Sequence, residues 1–113
     1  MSRLSEKIRK AREFSRTIEG WSLRLRRPTD VEAATILRGD PDTLLVATTF
    51  VIGWEGVTEA DLVNSGASDP VEFDADAWRE IVSDRPELWA PISQEVIDAW
   101  VRYNDKREDR KKT

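Results

Sequence analysis

Hydrophobic and polar positions alternate with different periods along this chain, and the changes of period divide it into elements. Leu4, Ile8 and Ala11, with Phe14 beside them, recur at helical spacing behind Ser2 as a candidate N-cap, so a short basic helix is expected over about residues 3–12. Phe14–Ile18 and Trp21–Arg26 then flank Glu19-Gly20. In the second run Trp21, Leu23 and Leu25 fall on one face and Ser22, Arg24 and Arg26 on the other, the period of a half-buried strand. Two connecting residues that include a glycine fit a tight hairpin turn.

Pro28 stops the strand, and Thr29-Asp30-Val31-Glu32 has the form of a capping box, with Thr29 and Glu32 exchanging side chain-to-backbone bonds. A helix is expected from there to about Arg38, ended by Gly39 in a left-handed conformation. Asp40-Pro41-Asp42 restarts one, with Asp40 as N-cap and Pro41 at the first helical position. Residues 42–52 are apolar nearly all round and rich in β-branched side chains, so periodicity alone does not separate a buried helix from a strand. The Asp-Pro start favours a helix, the central and most buried element. Gly53 and Gly56 bracket Trp54, which reads as a helix ending abruptly with a large aromatic held at the corner.

Thr58 caps a short helical turn through Val63, and the polar, glycine-containing stretch from Asn64 to Pro70 reads as an exposed loop. Asp74 is placed to cap a helix over about 75–83 with Trp78, Ile81 and Val82 inward. The last helix is expected from about Pro91, with a stripe of Ile92, Val96, Ala99/Trp100 and Tyr103. The resulting fold class is mainly α, about five short-to-medium helices with one N-terminal β-hairpin, at the margin of a small single-domain α+β protein. Residues 1–104 form the expected globular domain. Residues 105–113 are without apolar side chains and read as a charged, disordered tail.

Composition narrows the chemistry. The 113 residues contain neither Cys nor His. That removes disulfides, a thiolate nucleophile, the commonest general base and the commonest metal ligand, so an enzyme is disfavoured and no cofactor is expected. The charged first residues occupy the place where a signal peptide needs its apolar stretch. The longest apolar-leaning run, Leu44 to Ile52, is interrupted by threonines and far short of a membrane span, which points to a cytoplasmic protein with no membrane partner.

The net charge of −4 conceals a pattern. Residues 1–28 carry nine Lys/Arg against three Glu, +6; residues 29–100 carry three Arg against sixteen acids, −13; residues 101–113 carry six Lys/Arg against three acids, +3. Basic ends and an acidic middle allow self-association, and are equally read as solvated helix faces and capping acids. Asp69, Glu72, Asp74 and Asp76 cluster without the spacing of a calcium loop and read as caps and solubilising charge. The basic start, with the strand-borne Arg24, Arg26 and Arg27, invites a nucleic-acid reading. The acidic middle opposes it, and no nucleic-acid-binding motif is present.

Five tryptophans, at 21, 54, 78, 89 and 100, are many for this length. They are core side chains on one reading. On the other, Trp54, Trp78, Trp89 and Trp100, with Tyr103, are partner contacts of the kind that dominate binding surfaces.

Arg26-Arg27-Pro28-Thr29, Gly53-Trp54-Glu55-Gly56-Val57 and Pro70-Val71-Glu72-Phe73-Asp74, in that order, resemble the small tail assembly chaperones of long-tailed bacteriophages and prophages over roughly residues 13–104. The resemblance implies a mostly helical protein acting in the bacterial cytoplasm during tail morphogenesis. It implies as partners the tape measure protein, which such chaperones hold soluble, and the tail tube protein, together with self-association. It carries over Trp54 with Gly53 and Gly56 as structural determinants. A virion connector and a small nucleic-acid-binding regulator are the competing expectations.

Overall fold

The structure is a computed structural model that describes residues 3–112. Six α-helices and a three-stranded antiparallel sheet make a small α+β domain. Helix α1 spans Arg3–Lys10, as the apolar spacing predicts; the expected Ser2 cap lies outside the described residues.

Strands β1 (Glu13–Ile18) and β2 (Trp21–Arg26) form the expected hairpin, with Ile18 opposite Trp21 across the turn. Glu19 and Gly20 take φ of 50° and 82°. Positive φ at both central residues gives the turn the twist that suits the flanking strands, and Glu19 adopts it without a glycine's freedom. Leu23 and Leu25 are buried while Ser22 and Arg24 face solvent, so the alternation does place one face of the sheet on the core.

Helix α2 (Asp30–Ile36) carries the full capping box: Thr29 Oγ1 accepts from the Glu32 amide, and Glu32 Oε1 accepts from the Thr29 amide. Gly39 takes φ of 69° beyond the helix. Helix α3 spans Thr43–Phe50 and begins two residues later than expected for an Asp40 cap. Asp42 is the cap, with its Oδ1 accepting from the amides of Leu44 and Leu45. Pro41 therefore precedes the helix.

The larger correction follows directly. The chain does not stay helical to Ile52. It turns at Val51 into a third strand, β3 (Val51–Glu55), paired antiparallel with β2 so that Trp54 faces Leu23 and Gly53 faces Arg24. The β-branched pair Val51-Ile52 suits a pleated surface, and a register shift between Arg24 and Leu25 accommodates the extra residue as a bulge. A side chain at position 53 would place its Cβ 3.3 Å from Arg24 Cβ, so this glycine lets Arg24 lie across the strand. The Gly-Trp-Glu-Gly corner is thus the end of a strand, and Gly56, at φ of 70°, makes the turn after it.

A one-turn helix α4 (Glu59–Leu62) is capped reciprocally by Thr58 and Asp61. The exposed loop that follows returns to pair Pro70 with Thr58. Helix α5 spans Ala75–Ser83 behind Asp74, as expected. A 3-10 turn over Pro86–Leu88 leads into α6 (Trp89–Lys112), which starts two residues before Pro91. Pro91 sits in the first turn, where its missing N–H has no intrahelical acceptor to lose.

The expected break after Asn104 differs from the structure, because α6 continues through Lys112. Arg107 gives those turns a tertiary contact, pairing with Asp30 at 2.7 Å. Thr113, the last residue of the expected tail, lies outside the described residues.

The core lies between one face of the sheet and helices α3, α5 and α6, and is built from Leu23, Leu25, Phe50, Trp78, Val82 and Ile92 with their neighbours. The opposite face, with Ser15, Thr17, Ser22, Arg24 and Glu55, is exposed.

Candidate functional site

The tryptophans separate by position. Trp78 is 1% exposed; its indole N–H donates to the Ala47 carbonyl at 3.0 Å, and its ring meets Trp21 edge-on at 5.9 Å. Trp54 is 8% exposed; its N–H donates to the Val71 carbonyl at 2.9 Å, and its ring meets Phe73 at 4.9 Å. Both are core pillars, and as partner contacts they are corrected: burial and a satisfied N–H leave no face to offer. Trp54 clamps the extended segment around Val71 to the sheet, which gives its flanking glycines their structural role. Trp89 is half-buried against the core, and its N–H donates to the Val82 carbonyl at 2.6 Å. Trp100 and Tyr103 remain half-exposed on α6, their rings 5.9 Å apart. Thr29 and Glu32 are capping residues, as expected, and Glu32 also anchors Arg26.

Tyr103 leads to a feature that the tryptophan pattern missed. Beyond Arg26, the Arg27 amide donates to the Arg12 carbonyl at 2.8 Å and extends the hairpin ladder by one pair. The Arg27 guanidinium lies 3.5 Å from the centre of the Tyr103 ring, and its Nη1 donates to the Pro28 carbonyl. Burial holds the Arg27 pKa below its ordinary value, with Arg12 and Arg107 acting in the same direction against Tyr103 and Asp30. It stays charged at any physiological pH.

Around Arg27 a groove of about 330 Å³ opens between β1 and α6. Phe14 and Ala99 form its apolar floor; Arg12, Arg27, Arg102 and Lys106 form its cationic walls. Among the described residues, none of these four cations has an ion-pair partner. The signal was present in the strand alternation: Arg24 and Arg26, on the outer face, are neutralised by Glu13 and Glu32, whereas Arg27 steps out of that alternation.

At the opposite end of the hairpin, Glu19, Glu55 and Asp61 surround a hollow of about 280 Å³ beside Trp21 and Arg85. A six-residue strand separates the two ends by about 17–20 Å. Asp61 has a pKa below the ordinary carboxylate value because it accepts from the Thr58 amide and hydroxyl, which gives it a capping role. No group of three or more acids among the described residues is arranged to hold a metal ion.

Helix α1 stands apart from the core. None of its residues is buried, and Leu4 and Ile8 are 67% and 48% exposed. Among the described residues no helix is long and apolar enough to cross a membrane. Comparison with known protein families, with curated proteins and with solved structures finds no match to this chain.

Proposed function

We propose that this chain is a non-enzymatic binding protein of the phage tail assembly chaperone type, which binds the tape measure protein and helps recruit tail tube subunits in the bacterial cytoplasm. The observation that carries the binding reading is α1, whose Leu4 and Ile8 lie on a basic helix that buries nothing in its own fold. An apolar stripe rimmed by charge is the form of a helix that docks against another helix or groove. The phage assignment rests on the order of the Arg-Arg-Pro-Thr, Gly-Trp-Glu-Gly-Val and Pro-Val-Glu-Phe-Asp segments. The absence of His and Cys supports the non-enzymatic reading. The basic ends and acidic middle of the sequence favour self-association.

Co-expression with the proteins encoded beside this gene tests the reading. A long, helix-rich neighbour that becomes soluble only with this chain, and loses that protection with Leu4→Glu/Ile8→Glu, supports it. If no neighbour binds and the isolated protein forms a fixed ring, a virion connector is the better account.

A further inference from the structure

The groove between β1 and α6 holds more positive charge than the fold uses. The acids around it are engaged elsewhere: Glu13, in the groove lining, with Arg24 at 2.7 Å, Glu95 with Arg16 at 3.0 Å, and Asp30, which acts on Arg27, with Arg107 at 2.7 Å. Arg12, Arg27, Arg102 and Lys106 therefore line one groove with no ion-pair partner among the described residues. Like charges gathered over an apolar floor repel, and an anionic occupant relieves that repulsion.

The groove also runs beside an open sheet edge, since β1 has a partner on one side only. In a two-residue hairpin the pair flanking the turn, here Ile18 and Trp21, is the hydrogen-bonded one. The alternation then turns the main chain of Ser15 and Thr17 outward. The Ser15 carbonyl accepts from the Nη1 of Arg16 at 2.8 Å, a local substitute for a neighbouring strand.

We propose that this groove binds an acidic, extended segment of a partner polypeptide, which adds along the edge of β1 and directs carboxylates to Arg12, Arg27, Arg102 and Lys106. The inference deepens the binding-protein reading and rests on it only in taking the occupant to be a protein. Main-chain bonds to the edge supply affinity, and the cations select acidic side chains. A nucleic acid fits less well. Base stacking needs a free aromatic face, and the Tyr103 ring is covered by Arg27 at 3.5 Å, with Arg107 at 5.2 Å, while Phe14 carries Arg16 at 5.0 Å. The −13 balance of residues 29–100 further repels a long phosphate backbone.

The test is fluorescence anisotropy on the full chain with three labelled probes: a peptide of alternating glutamate and valine roughly a dozen residues long, its lysine–valine counterpart, and a single-stranded oligonucleotide of similar length. The acidic peptide is expected to bind, and the lysine peptide is not. Arg102→Glu/Lys106→Glu, at two exposed positions, is expected to weaken binding by about tenfold or more. Methylating alternate backbone nitrogens of the acidic peptide is expected to abolish binding by removing the edge bonds. Leu4→Glu/Ile8→Glu is expected to leave peptide binding intact, which separates this groove from the α1 surface. Unchanged affinity in the groove variant overturns the proposal, as does equal binding of the methylated peptide. Oligonucleotide binding as tight as the peptide's, with the same loss in the variant, assigns the groove to phosphate instead.

Discussion

The Arg26 guanidinium holds both oxygens of the Glu32 carboxylate, Nη1 to Oε1 and Nη2 to Oε2, each at 2.7 Å. The same carboxylate accepts from the Thr29 amide at 3.0 Å, so one side chain ties β2 to α2 and caps the helix. Its pKa is lowered from 4.5 to about 2, first by the Arg26 hydrogen bond and then by the Thr29 amide, against a desolvation that acts upward.

A carboxylate whose pKa is depressed on folding stabilises the fold above its unfolded pKa and loses that contribution as pH falls through the folded one. The loss from Glu32 is expected between pH 4.5 and about 2, and amounts to about 1–2 kcal/mol after allowance for solvent screening. Glu32→Gln should be less stable than the parent at pH 7 and should show a flatter decline across that window. Urea midpoints at pH 7, 4 and 2.5 measure it; parallel pH profiles would refute the assignment.

Trp78→Phe removes volume from a site 1% exposed and deletes the bond to the Ala47 carbonyl. A loss of about 2–4 kcal/mol is expected. Leu4→Ser, on the uncovered face of α1, should change stability by less than about 0.5 kcal/mol. Denaturant titration of the two variants side by side distinguishes core from docking surface, and similar losses in both would contradict the placement of α1.

Gly66 lies where a Cβ would meet the Glu59 carbonyl carbon and oxygen at 2.5 Å and the Ala60 nitrogen at 2.8 Å. These are backbone atoms and do not swing aside. Gly66→Ala is therefore expected to displace the loop and cost about 1–3 kcal/mol. Its local signature is faster hydrogen exchange at the Ala60 amide, which donates to the Ala67 carbonyl at 2.9 Å.

Ser93 is 3% exposed, and its Oγ has no hydrogen-bond partner among the described residues. A buried hydroxyl without a partner is a net loss, so Ser93→Ala should raise stability by about 1 kcal/mol. A lower midpoint for the alanine variant would mean that the hydroxyl has an acceptor in solution.

Glu19 sits at φ of 50° in the hairpin turn, where Asn is better tolerated. Glu19→Asn is expected to stabilise the protein by about 0.5–1 kcal/mol. The expected sign is an increase in thermal midpoint, and a decrease would show that the Glu19 carboxylate does more than turn the chain.

The caps at Thr29, Thr58 and Asp74, the Glu19-Gly20 hairpin and the helix over 75–83 were legible in the sequence because each depends on residues a few positions apart. Local geometry decides them: a hydroxyl or carboxylate meets an amide two or three residues on, and a two-residue turn sets its own register. β3 was not legible. The run from Leu44 to Ile52 is apolar nearly all round, so no periodicity marks Val51 as the point of change, and the strand that receives it lies some thirty residues upstream. The same holds for the burial of Trp54 and Trp78, for the coupling of Arg107 to Asp30 across 77 positions, and for the groove. The charge of Arg12, Arg27, Arg102 and Lys106 was plain from composition, but which arginines are neutralised depends on which carboxylates folding brings within reach. Sequence alone determined the local turns, caps and charge balance; tertiary packing decided which aromatics are core and where positive charge is left without an ion-pair partner.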